Sequence, residues 1–186
     1  MEGDWEFEVG GDAPVIDACW PGFVDLQVSP ERARDLPEAV QLPSLAAALE
    51  KLNSRQSPVW TSKCDFWPVL QSHEFDLDEL DSPIGCFTNA MGCYIDLLPK
   101  GDQRWPSPAM ASAFCRDLCS SLRAVPFRCC RVDLVIRRAL IAPDRMGTGV
   151  TAYIVACGAG TDETRDTLGE ALAAFVDALC SGSRLQ

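Results

Sequence analysis

Polar and apolar residues alternate through RVDLVIR (131–137). A two-residue period puts Cys130, Val132, Leu134 and Ile136 on one side of a strand, and Arg131, Asp133, Val135 and Arg137 on the other. The same alternation over MGCYIDLL (91–98) sets Cys93, Ile95 and Leu97 against Tyr94 and Asp96. In GFVDLQV (22–28) it sets Val24, Leu26 and Val28 against Phe23, Asp25 and Gln27. An aspartate flanked by two core-type residues therefore recurs as Val24-Asp25-Leu26, Ile95-Asp96-Leu97 and Val132-Asp133-Leu134. Further strands are predicted at WEFEV (5–9), VWTSKCDFW (59–67) and GVTAYIVACG (149–158). In the second of these, Trp60, Cys64 and Phe66 fall on the apolar side and Thr61, Lys63 and Asp65 opposite; in the third, Thr151 and Tyr153 oppose Val150, Ala152 and Ile154.

Helical spacing takes over between these runs. Leu45, Ala48, Leu49 and Leu52 form one stripe of PSLAAALEKLN (43–53), and Ala111, Phe114, Cys115, Leu118 and Leu122 form another after Ser107-Pro108. Leu168, Ala171, Leu172, Phe175 and Leu179 form a third in TDETRDTLGEALAAFVDAL, whose first turn is acidic. SPERARDL opens with the same Ser-Pro pair, at Ser29 and Pro30, and predicts a short helix. Three strand-strand-helix blocks predict one α+β domain over 1–186, with a largely antiparallel sheet and its helices on one face. A ferredoxin-like arrangement and repeated strand-strand-helix units both satisfy that pattern.

With helices on one side, the opposite sheet face becomes the candidate site. It collects Asp25, Lys63, Asp65, Tyr94, Asp96, Arg131, Asp133, Arg137 and Tyr153. Three chemistries suit such a surface. Opposite charges pair across neighbouring strands; arginine forks bind carboxylate or phosphate; carboxylates grouped from Asp25, Asp65, Asp96 and Asp133 hold Mg²⁺ or Mn²⁺ for hydrolysis or phosphoryl transfer. Lys63, Arg131 and Arg137 on the same face weigh against the last, because they neutralise the carboxylates and repel a divalent ion.

Composition narrows the partners. The net charge is −11, and it is concentrated in residues 1–100, which carry 18 acidic and 6 basic side chains against 9 and 10 in 101–186. That sign disfavours nucleic acid and anionic membrane and accommodates a cationic partner. No apolar run is long enough to span a bilayer, and the acidic N-terminus MEGDWEFEVGGD is unlike a secretory signal, so a cytoplasmic location is expected. The ten cysteines occupy mostly apolar settings and are expected to be reduced thiols. Cys-x-x-Cys is absent, adjacent Cys129 and Cys130 point to opposite faces, and only Cys115 and Cys119 share a helical face as a local thiol or metal pair. His73 stands in an acidic stretch read as a solvated loop, and Asp76, Asp78, Glu79 and Asp81 lack calcium-loop spacing.

Nucleophile-elbow, phosphate-loop, zinc-protease and dinucleotide signatures are missing, and no cofactor is expected. The leading expectation is a non-enzymatic binding or regulatory protein that meets a protein partner, or itself, through the polar sheet face or the acidic N-terminal half. A small metal-dependent enzyme built on the strand aspartates is the alternative.

Overall fold

Alternation and helical stripes are realised in a computed structural model that describes residues 1–8, 14–18, 20–69, 80, 89–101, 105, 107–142 and 144–182. Strands β1 (Glu2–Phe7) and β2 (Ile16–Asp17) come first, then a 3-10 turn (Pro30–Asp35) and helices α1 (Pro37–Gln41) and α2 (Pro43–Asn53). They are followed by β3 (Val59–Val69), β4 (Asn89–Pro99), α3 (Pro108–Arg123), β5 (Cys130–Ala142), β6 (Arg145–Gly158) and α4 (Thr161–Gly182). The sheet order is β1-β5-β6-β4-β3, with β2 continuing along β5 beyond β1. Every pairing is antiparallel except those of β1 and β2 with β5.

This is an α+β domain with its helices on one face. Chain order gives strand-strand-helix twice, as β3-β4-α3 and β5-β6-α4, where a ferredoxin-like domain runs β-α-β-β-α-β. The expected third block is not built this way. Residues 22–28 form no strand: the Phe23 N–H donates to the Trp20 carbonyl at 3.1 Å around Pro21-Gly22, with Gly22 at φ 91. Proline followed by a positive-φ glycine dictates a tight turn, which leaves Val28 79% exposed. Asp25 caps the next turn by accepting the Gln27 N–H at 2.9 Å, and so leaves the sheet face altogether.

The main core lies between the sheet and α2, α3 and α4. Cys93, Ile95 and Leu97, then Cys130, Val132, Leu134 and Ile136, then Val150, Ala152 and Ile154 meet the three helical stripes there. Ser29 and Ser107 stand before their helices but make no side-chain cap bond; the following prolines occupy the first helical turn. No helix among the described residues is long and apolar enough to cross a membrane.

Two smaller clusters lie on the other face, one at each end. Ile16 and Ala18 pack on Leu98 and Ala139, with Trp60 and Ile141 beside them. The Ser62 hydroxyl donates to the Asp17 carbonyl at 2.6 Å, so this segment reaches from β5 across to β3. At the far end Leu80 covers Ala90 and Cys157. Among the described residues, the polar face is therefore left open only in its middle.

Both outer strands are guarded against further pairing. β1 alternates Glu2, Asp4 and Glu6, while β3 carries Lys63, Pro68 and a register shift between Thr61 and Cys64. Charge, proline and bulges are devices that blunt sheet edges.

Candidate functional site

The open middle of the face is built in rows, because paired residues of neighbouring strands project to the same side. Asp4, Asp133, Tyr153, Tyr94 and Asp65 form one row. Glu2, Arg131, Val155, Gly92 and Trp67 lie on one side of it, and Glu6, Val135, Thr151 and Asp96 on the other. Arg137 begins the next row, opposite Gly149. Eight of the nine sequence-derived site residues belong to this surface or its margin; Asp25 is the exception.

Lys63 reaches the margin by an irregular route. The register shift between Thr61 and Cys64 inserts one extra residue opposite Asp96 and reverses the alternation at the start of β3. Thr61 is consequently 3% exposed on the helix side, where it exchanges bonds with Asn53 at 2.8 and 3.1 Å. Trp60 moves to the open side, against Leu98 and edge-on to Phe23. Both assignments reverse those expected from strict alternation. The Lys63 ammonium lies 6.0 Å from the Trp20 ring centroid.

Aromatic rings run across three strands. Trp67 and Tyr94 have centroids 6.4 Å apart, and Tyr94 and Tyr153 6.1 Å apart. Arg137 then stacks 5.5 Å over Tyr153. The row depends on Gly92: a Cβ there would stand 2.7 Å from the Trp67 ring, so glycine lets the indole lie flat on β4.

The cations of the face are engaged from within. Arg131 Nε donates to both carboxylate oxygens of Asp133, at 2.8 and 2.9 Å. Arg137 Nε donates to Glu8, and Nη1 donates to the Tyr153 hydroxyl at 2.9 Å and Thr151 Oγ1 at 3.1 Å. Thr151 in turn donates to Asp96 Oδ1 at 2.6 Å. Glu8, Thr151, Trp67 and Gly92 were outside the sequence-derived set. The alternating acids of EGDWEFE hinted at Glu8, but only strand order brings it to Arg137.

Asp96 is the most enclosed of these carboxylates, 5% exposed. Burial raises its pKa above the ordinary carboxylate value; the Thr151 hydrogen bond and the charges of Arg137 and Lys63 offset this only in part. Tyr94 is pushed up to about 12, first by burial and then by the charges of Asp96 and Asp65, so it stays a phenol. Since Asp96 has a higher pKa folded than unfolded, its contribution favours folding below the unfolded value and is lost as pH rises through the folded one. Asp96→Asn should leave the fold intact, change stability by no more than about 1 kcal/mol, and melt at a temperature that gains on the native protein from acid to neutral pH. Parallel melting curves against pH for both proteins test this; a constant difference would contradict the raised pKa.

The four aspartates proposed as a metal cage are not brought together. Asp25 is elsewhere, and two tyrosine strands separate Asp133 from Asp65, about 14 Å at ordinary strand spacing. Among the described residues no group of three or more His, Cys, Asp or Glu side chains is placed to hold a metal ion. Cys115 and Cys119 lie in the core, their thiols pushed up to about 12 and about 11, mainly by burial. His73 and the acids at 76, 78, 79 and 81 lie outside the described residues.

Beside β1 the face deepens into a cleft of about 480 Å³, lined by Asp4, Glu6, Arg131, Asp133, Arg137 and Tyr153 among others. This volume falls within the range of small-ligand pockets. Comparison with family models, curated proteins and solved structures finds no match to this chain.

Proposed function

We propose that this is a non-enzymatic binding protein whose open sheet face takes a lysine- or arginine-bearing segment of a protein partner. The observation that carries this reading is the aromatic row Trp67, Tyr94 and Tyr153, bounded by Asp65 at one end and by Asp133 and Asp4 at the other. Aromatic faces attract an ammonium or guanidinium group, and Asp65 and the exposed acids of β1 supply opposite charge, whereas Asp133 is already engaged by Arg131. Arg131 and Arg137 give much less support to an anion site, because their guanidinium groups already bond Asp133 and Glu8. Acidic residues along β1 extend the attraction for a basic chain. A cytoplasmic, reducing setting is part of the same reading, supported by the buried apolar settings of Cys93, Cys115, Cys119, Cys130 and Cys157.

Fluorescence titration with a lysine decapeptide, at low and high salt, tests the proposal. Saturable quenching that weakens with salt is expected, and Asp65→Asn combined with Tyr94→Leu should weaken binding about tenfold, near 1.4 kcal/mol. Equal binding by both proteins would remove the face from the interaction. Calorimetric binding of Mg²⁺ or Mn²⁺ at micromolar affinity, lost in Asp96→Asn and Asp133→Asn, would replace this reading with a metal-dependent enzyme.

A further inference from the structure

We propose that Cys129 and Cys157 are a reversible disulfide site, oxidised by hydrogen peroxide, that staples the wide end of the β5–β6 hairpin. Cys130 faces Ala156 at the end of the antiparallel ladder, and Cys129 lies one residue beyond it, next to Cys157. A 2.9 Å bond from the Cys157 N–H to the Cys129 carbonyl ties the two residues together beyond the end of that ladder. Cys157 Sγ also lies 3.5 Å from the same carbonyl oxygen. Both side chains pack in the small cluster under Leu80 and beside Ala90. These two contacts to one carbonyl and the shared cluster hold the cysteines side by side, as a disulfide requires.

No other pair of described thiols is placed this way. Cys64 faces Ile95 while Cys93 faces Phe66, which makes Cys64 and Cys93 diagonal neighbours, about 7–8 Å apart in such a ladder. Cys115 and Cys119 are successive positions on one helical face in the core. Cys130 belongs to the main core on the opposite side of the sheet from Cys157.

The backbone singles out Cys129 as well. Its φ of 65 is left-handed, a conformation that costs free energy in a side-chain-bearing residue and persists only when neighbouring structure holds it. Here the N–H donates to the Leu80 carbonyl at 3.0 Å, and the carbonyl accepts from Cys157.

Exposure orders the chemistry. Cys129 is partly exposed and Cys157 buried, so peroxide meets Cys129 first. Its sulfur attacks one peroxide oxygen, the O–O bond breaks, and water leaves with a sulfenic acid on Cys129. Cys157 sulfur then attacks the Cys129 sulfur; the S–O bond breaks, and hydroxide takes the Cys157 proton to leave as a second water. Two thiols and one peroxide thus give one disulfide and two waters. Burial, with the neighbouring Cys129 thiol, pushes Cys157 up to about 12, which keeps it a thiol while Cys129 meets the peroxide.

The test treats the reduced full-length chain with hydrogen peroxide, alkylates the remaining thiols in denaturant and maps the peptides by mass spectrometry. The Cys129–Cys157 linkage should be the first to form, with loss of two alkylatable thiols from the ten, and excess dithiol should restore both. Cys129→Ser should abolish that linkage while retaining the native circular dichroism spectrum. Cys157→Ser is the second variant and should accumulate the sulfenic acid at Cys129, detected by a dimedone adduct. An earlier linkage between any other pair, or oxidation of Cys129 beyond the sulfenic acid without a disulfide, overturns the proposal.

Discussion

Leu134→Ala is expected to lower the unfolding free energy by about 2–5 kcal/mol, the range for emptying a well-packed leucine site. Leu134 is 0% exposed at the centre of the sheet, with Trp5 opposite on β1 and Ala152 opposite on β6. β6 is also held by β4, and α3 and α4 pack on β5, so collapse into the space is restricted. Arg131→Ala, three residues earlier and on the other face, removes a partly exposed pair with Asp133 and should cost no more than about 1 kcal/mol. Urea unfolding of the two variants with equal slopes measures the contrast. Equal losses would mean that the two faces of β5 are not divided between core and solvent.

That division was legible in the sequence because regular pairing preserves a two-residue period. From 130 to 136 and from 93 to 97 each alternate side chain meets helices, and no bulge interrupts the count. Regularity failed where local backbone chemistry overrode it. Pro21 and Gly22 turn the chain before Val24-Asp25-Leu26 can join a sheet, although the tripeptide resembles the two that do. In β3 the shift at 62–63 exchanges the faces of Trp60 and Thr61, and no residue there announces a bulge as a glycine would have done.

The depth of the site was hidden for a different reason. Asp96 reads as a wet strand residue until Thr151, Arg137 and Lys63 close around it from three other strands. Those neighbours depend on β6 lying between β5 and β4, and on β2 folding across one end. The β4–β6 and β1–β5 pairings join residues more than 50 positions apart, and pairings so distant leave no periodic trace in the chain. The parallel addition of β1 to β5 is equally non-local, and it changes Glu8 from part of an acidic terminus into the partner of Arg137.

Phe175→Ala should produce the largest single loss, about 3–5 kcal/mol. Phe175 has no exposed surface and shares its helical stripe with Leu168, Ala171, Leu172, Val176 and Leu179, all in the main core. α4 packs against β4, β5 and β6 as well as α2 and α3, so this side chain is emptied from the layer that joins sheet to helices. Phe114 provides the control: the same periodic reading places it on the apolar stripe of α3, but it is only partly buried, its ring tilted against Trp105 with centroids 4.8 Å apart. Phe114→Ala leaves a space open to solvent on one side and should cost clearly less. The ranking therefore separates residues that helical spacing alone treats as equivalent. Thermal and urea unfolding of both variants would decide it: a loss at Phe175 below about 1 kcal/mol, or one smaller than at Phe114, would mean that α4 does not carry the centre of the core.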